Sequence, residues 1–125
     1  MTDQIKQFKY VGPTGPGARD RGADNGRSYD LLYNEAFIST VQVMEKGQGN
    51  KLNYHNDQDG YWLILGGRAR FHGEGDEILG ELGQLEGIFI PHKTRYWFES
   101  IDHEPLQILR VSKLIPENVL PKAKP

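Results

Sequence analysis

NYHNDQDGYWLILGGRARFHG, residues 53 to 73, reads as strands separated by turns. Tyr61-Trp62-Leu63-Ile64-Leu65 is a short apolar run bounded by Asp59-Gly60 before it and Gly66-Gly67 after it. A run of that length between turn residues is a strand, and Gly-Gly predicts a tight hairpin into Arg68-Ala69-Arg70-Phe71-His72. Upstream, KLNYHN (51–56) is a further strand candidate that carries a single histidine, His55. The Asp57-Gln58-Asp59-Gly60 run after it reads as a hairpin turn, because Asp and Gly suit turn backbone.

The same pattern extends in both directions. FISTVQVM (37–44) alternates and is rich in β-branched residues, with Glu45 to Asn50 as its turn. EILGELG, GIFIP (87–91), RYWFES (95–100) and PLQILRV (105–111) follow the GEGDE turn. Strands recurring roughly every 8–12 residues predict an antiparallel all-β sandwich or barrel. No helical periodicity of useful length appears, and YDLLYN, from Tyr29, fits either a short strand or one helical turn. Residues 12–27 contain five glycines, two prolines and almost no apolar side chains. Such a stretch cannot offset its ordering entropy by burial. The expected organisation is a flexible N-terminal arm (1–27), one β domain (28–115) and an extended, proline-bearing tail (116–125).

The bulk properties narrow the function. The chain has 125 residues, enough for one modest core, with 37% apolar and 26% charged residues. A net charge of −2 gives no basic stripe for nucleic acid. No apolar run approaches the roughly 20 residues of a membrane-spanning helix. The opening MTDQIKQFKY lacks the apolar centre of a signal peptide, so a cytoplasmic location is expected. Without cysteine, disulfides, thiolate-ligated zinc and thiol catalysis are excluded.

Residues 37 to 111 resemble the cupin family, small jelly-roll β-barrels whose first motif is G-x5-H-x-H-x(3,4)-E-x6-G and whose second is G-x5-P-x-G-x2-H-x3-N. With the four-residue spacer, Gly47 falls on the opening glycine, Asn53 and His55 on the two histidines, Gly60 on the glutamate and Gly67 on the closing glycine. The three-residue spacer places Asp59 and Gly66 at the last two positions instead. In the second motif Pro91 fixes the register. Leu85 then replaces the opening glycine, Lys93 the second glycine, Tyr96 the histidine and Ser100 the asparagine.

The resemblance implies a single cupin jelly-roll barrel, and a divalent metal held by the motif histidines and glutamate. This chain keeps one of those four ligands, His55, so no metal and no other cofactor is expected. A shifted set of His55, Asp57 and Asp59 is the alternative. His72, His92 and His103 read as solvated loop or strand-end residues.

The two-residue period of a strand then sets the cavity wall. With Asn53 and His55 inward, the resemblance points Gly60, Trp62, Ile64, Tyr96 and Phe98 inward as well, with spare room at Gly60. That mixture of apolar and polar groups is usual for a small-molecule pocket. His55 as base and Tyr96 as acid would resemble the pairing of metal-free nucleotide-sugar 3,5-epimerases. Asn53, Gly60, Trp62, Ile64 and Phe98 would contact the ligand. Of the arginines at 68, 70, 95 and 110, Arg68 and Arg70 share a strand face expected to be solvated. Tyr61, Leu63, Leu65 and Trp97 form an outward apolar set, to be covered by the N-terminal segment or by a second subunit, which makes a homodimer the expectation. The functional expectation is a metal-independent cupin that binds a small polar organic molecule and moves a proton on a carbonyl-bearing or sugar-type substrate. A non-catalytic binding module and a metal enzyme rearranged around His55 are its alternatives.

Overall fold

The computed structural model describes residues 4–50 and 58–114. Nine strands run through these residues: β1 (Arg19–Asp20), β2 (Arg27–Tyr33), β3 (Phe37–Met44), β4 (Asp59–Gly66), β5 (Ala69–His72), β6 (Ile78–Leu82), β7 (Gly87–Ile90), β8 (Trp97–Ser100) and β9 (Leu106–Lys113). One short 3-10 turn, Glu74–Asp76, separates β5 from β6. Every pairing is antiparallel. The strands form a six-stranded sheet ordered β1-β2-β3-β9-β4-β7 and a three-stranded sheet ordered β6-β5-β8. This is the expected all-β double sheet, and the YDLLYN segment resolves as part of β2. Asn53, His55, Asp57 and the 116–125 tail lie outside the described residues.

Three local expectations are corrected. Gly66-Gly67 is not a hairpin: β4 pairs with β7 and β9, whereas β5 pairs with β6 and β8 in the other sheet. The chain crosses between layers here because Trp62 and Ile64 on one side, and Ala69 and Phe71 on the other, bury their side chains in the same core. Gly67 makes the corner with φ +77, and a Cβ there would lie 2.6 Å from the Pro105 carbonyl oxygen. A side chain is excluded on both counts. The second correction is the Asp57–Gly60 turn, since Asp59 and Gly60 already belong to β4, opposite Lys113 and Ser112 of β9. RYWFES likewise becomes a regular strand only at Trp97.

The core between the sheets is aromatic. Trp62 meets Phe71 edge-on at 6.2 Å and Tyr96 at 5.0 Å between ring centroids, and Phe71 meets Phe98 at 4.9 Å. Ile64, Ile90, Leu106 and Ile108 fill the space around them. The other face of the large sheet buries Tyr29, Val41 and Val43, with Tyr10, Leu31, Leu65 and Leu109 against them. Tyr10 therefore covers part of the outward apolar set. Its ring packs edge-on to Tyr29, and its hydroxyl donates to Gln107 Oε1 at 2.7 Å. Burial, with Tyr29 adding to it, pushes the Tyr10 pKa up to about 12, so the phenol remains a donor.

The glycine- and proline-rich stretch is irregular for most of its length, yet it is tied to the sheet. The Tyr29 hydroxyl donates to the carbonyls of Pro13 and Gly15 at 3.1 and 2.9 Å, and the Arg27 guanidinium donates to Pro13. Backbone pairing of β1 with β2 adds a further tether.

Leu85 and Lys93 stand where the second cupin motif has glycine, and both adopt positive φ, 69° and 67°. A left-handed conformation costs an L side chain roughly 1–2 kcal/mol, part of which glycine returns through its freer unfolded chain. Leu85 is 73% exposed, so little packing is lost on its removal. Leu85→Gly and Lys93→Gly should each stabilise the protein by about 0.5–1 kcal/mol, read as a higher urea midpoint.

Candidate ligand site on the inner face

Directly opposed residues of antiparallel strands project from the same face. Three rows cross the inner face of the large sheet. The first is Gly60, Ser112, Ile38 and Tyr33; the second Trp62, Arg110, Thr40 and Asp30; the third Ile64, Ile108, Gln42 and Ser28. The β4 ends of the second and third rows, Trp62 and Ile64, belong to the aromatic core, while toward β2 these two rows become polar. There Asp30, Tyr33, Ile38, Thr40, Gln42 and Arg110 line a groove of about 490 Å³, joined by Arg19 and Arg21 from the N-terminal stretch.

Trp62, Ile64, Tyr96 and Phe98, expected to line the cavity, pack against one another in the one core cluster, and none of them lines the groove. Ile64 and Phe98 are fully enclosed, and Tyr96 is 4% exposed. The spare room expected at Gly60 is absent. A Cβ at that position would lie 3.0 Å from both Ser112 Oγ and the Val111 carbonyl oxygen, because β9 runs close alongside.

The polar wall was missed. Leu106 and Ile108 are inward apolar residues, so the two-residue period puts Arg110 and Ser112 inward too. That signal was present in LQILRVSK. Arg110 is half-buried; its Nε donates to Ser112 Oγ at 2.8 Å and its Nη2 to Gln58 Oε1 at 3.1 Å. Arg70, by contrast, is on the outer face of the small sheet, paired with Glu81 at 2.7 Å and Glu99 at 3.8 Å.

Two histidines depart from the expectation of solvated residues. His72 is 7% exposed, stacked on Trp97 at 4.0 Å, with Nε2 2.7 Å from Glu99 Oε2. His92 is clamped to Asp59, whose Oδ1 accepts the His92 backbone N–H at 3.0 Å and lies 2.9 Å from Nδ1. His103 is exposed, as expected. Among the described residues, no three histidine, aspartate or glutamate side chains converge to hold a metal ion.

The hydrogen bonds from the His92 side chain and backbone hold the Asp59 carboxyl below its ordinary pKa of 3.8. A depressed folded pKa stabilises the fold fully above the ordinary value, and the benefit disappears as pH falls through the lowered one. Wild type should therefore lose its stability advantage over Asp59→Asn on acidification from about pH 5 to about pH 2.5, as urea unfolding at the two pH values will show.

No protein-family model and no curated protein matches the chain in sequence. Solved structures do match. An RmlC-like cupin from Shewanella frigidimarina aligns with TM-score 0.72 and 13% identity over 94% of this chain and 98% of that one. The fold is that of the cupins. An RmlC-like cupin with a double-stranded β-helix fold from Methanocaldococcus jannaschii gives 0.69 and 13% identity, covering 96% of this chain and 98% of that one. The polyketide cyclase RemF of Streptomyces resistomycificus gives 0.63 and 16% identity, covering 92% of this chain and 81% of that one. Such low identities establish the cupin fold alone. Gly47 and Gly67, the outer glycines of the first cupin motif in its four-residue register, both have positive φ, +90 and +77, whereas Gly66 does not. None of the described residues forms a helix long and apolar enough to cross a membrane.

Proposed function

We propose that this cupin-fold protein binds a small polar organic molecule on the inner face of its large sheet, beside the aromatic core, and transfers a proton on it without a metal, as an isomerase or epimerase of a carbonyl-bearing substrate. The observation that carries the reading is the placement of Tyr96. Its nearly buried ring lies 5.0 Å from that of Trp62, and Trp62 stands opposite the half-buried Arg110 that borders the polar groove. His55 would remove the proton from the carbon beside the carbonyl. The Tyr96 hydroxyl would donate to the carbonyl oxygen as it gains charge, and Asn53 would orient the substrate. Returning the proton to the opposite face gives an epimer; returning it to the neighbouring carbon gives an isomer.

The metal-free part of the proposal rests on chemistry. Asn53, His55, Gly60 and Tyr96 at the four ligand positions supply one imidazole, a donor set that does not fit a divalent ion. Asp59, the carboxylate of the alternative register, is committed to His92. A homodimer belongs to the same reading, with the exposed Tyr61 and its β7 neighbour Phe89 as its apolar surface. Incubating the protein with carbonyl compounds and sugar nucleotides in D2O tests the proposal. Deuterium wash-in at the carbon beside the carbonyl supports it, whereas ligand binding without wash-in leaves a non-catalytic binding module.

A further inference from the structure

We infer that the ligand of the inner-face groove is an organic anion whose oxyanion is held by Arg110; the inference rests on the small-molecule reading above and names its ligand class. The groove is lined by three guanidinium groups, those of Arg19, Arg21 and Arg110, against the single carboxylate of Asp30. This positive excess runs against the net charge of −2 of the whole chain. Arg19 is neutralised locally, since its Nη2 lies 2.9 Å from Asp30 Oδ1. Arg110 and Arg21 enter no ion pair among the described residues.

Arg110 is the decisive group. A half-buried cation is costly unless its charge is compensated, and its two partners, Ser112 Oγ and Gln58 Oε1, are both neutral. They fix the plane of the guanidinium while using only two of its five N–H donors. The remaining donors include Nη1, which with Nη2 forms the fork that matches a carboxylate or a phosphate. Thr40 and Gln42, beside it on β3, offer a hydroxyl and an amide to the hydroxyl or carbonyl groups of the same molecule. A volume of about 490 Å³ suits a molecule of sugar size. Trp62 stands directly opposite Arg110 on β4 and packs against Tyr96, so the anion seat lies next to the aromatic core.

Glucose, glucuronate and glucose 6-phosphate form a matched set of neutral, carboxylate and phosphate probes for calorimetric titration at low salt. At least one anion should bind about tenfold or more tightly than glucose, and the preferred anion separates carboxylate from phosphate recognition. Arg110→Met should remove that advantage, and Arg110→Lys, which keeps the charge without the fork, should restore part of it. Arg21→Gln, at an exposed position, should weaken the anion less than Arg110→Met and provides a second reading if Arg110→Met fails to fold. Equal binding of glucose and both anions, or an anion affinity indifferent to Arg110→Met, overturns the inference while leaving the small-molecule reading in place. If none of the three probes binds, the inference is also overturned, and wash-in on the wider carbonyl panel decides the reading beneath it.

Discussion

Trp62→Ala should cost about 3–5 kcal/mol of unfolding free energy, the usual range for emptying a buried aromatic site. Trp62 is 1% exposed and is the ring on which Phe71 of the small sheet and Tyr96 both rest. Its removal therefore opens a cavity at the junction of the two sheets, where β4 is fixed by β7 and β9 and has little freedom to collapse. A small domain has only about 5–15 kcal/mol in total, so the variant should unfold at far lower urea concentration. Trp97 provides the control. It lies on the outer face of the small sheet, stacked on His72 with its indole N–H donating to Asp76 Oδ1 at 2.9 Å. Trp97→Ala should cost much less, because solvent can fill the space. Equal losses for the two tryptophans would mean that the core does not lie between the sheets.

The largest effect on activity should come from Tyr96→Phe and His55→Ala. Deleting a general acid or base commonly slows proton transfer by about 10²–10⁴-fold. Tyr96→Phe is the more informative variant, since it preserves the ring that packs against Trp62 and removes only the hydroxyl. Stability should change by no more than about 1 kcal/mol, while deuterium wash-in falls by at least about a hundredfold. A large stability loss with unchanged wash-in would reassign Tyr96 as a filler of the core. His55→Ala should abolish wash-in; turnover that survives it removes His55 from the mechanism.

Much of the fold could be read from local patterns. FISTVQVM became β3 over Phe37–Met44 without a shift, because its alternation matches a strand whose two faces pack against different clusters. Gly66-Gly67 misled because a glycine pair reports a sharp change of direction without reporting whether the next strand joins the same sheet. Asp59-Gly60 misled for a related reason: residues suited to a turn also serve a strand that runs close to its neighbour, as Gly60 does beside Ser112.

Part of the inner face was legible. The cupin resemblance set which strand face points inward, alternation then picked Trp62, Ile64, Tyr96 and Phe98, and the structure places these four in one buried core cluster. Arg110 was legible by the same rule. The partners of His72 and His92 were not, because Glu99 and Asp59 lie 27 and 33 residues away in sequence and meet them only across the fold. The left-handed backbone at Leu85 and Lys93 was signalled only by the glycines of the cupin motif at those positions, since neither residue type by itself signals a positive φ.

Deuterium wash-in on the carbonyl panel, run in the presence of a chelator, is the most direct test of the proposed metal-free proton transfer. Wash-in should proceed unchanged with chelator and disappear in Tyr96→Phe. Wash-in that stops with chelator and returns on adding a divalent metal, or that persists in Tyr96→Phe, would refute it.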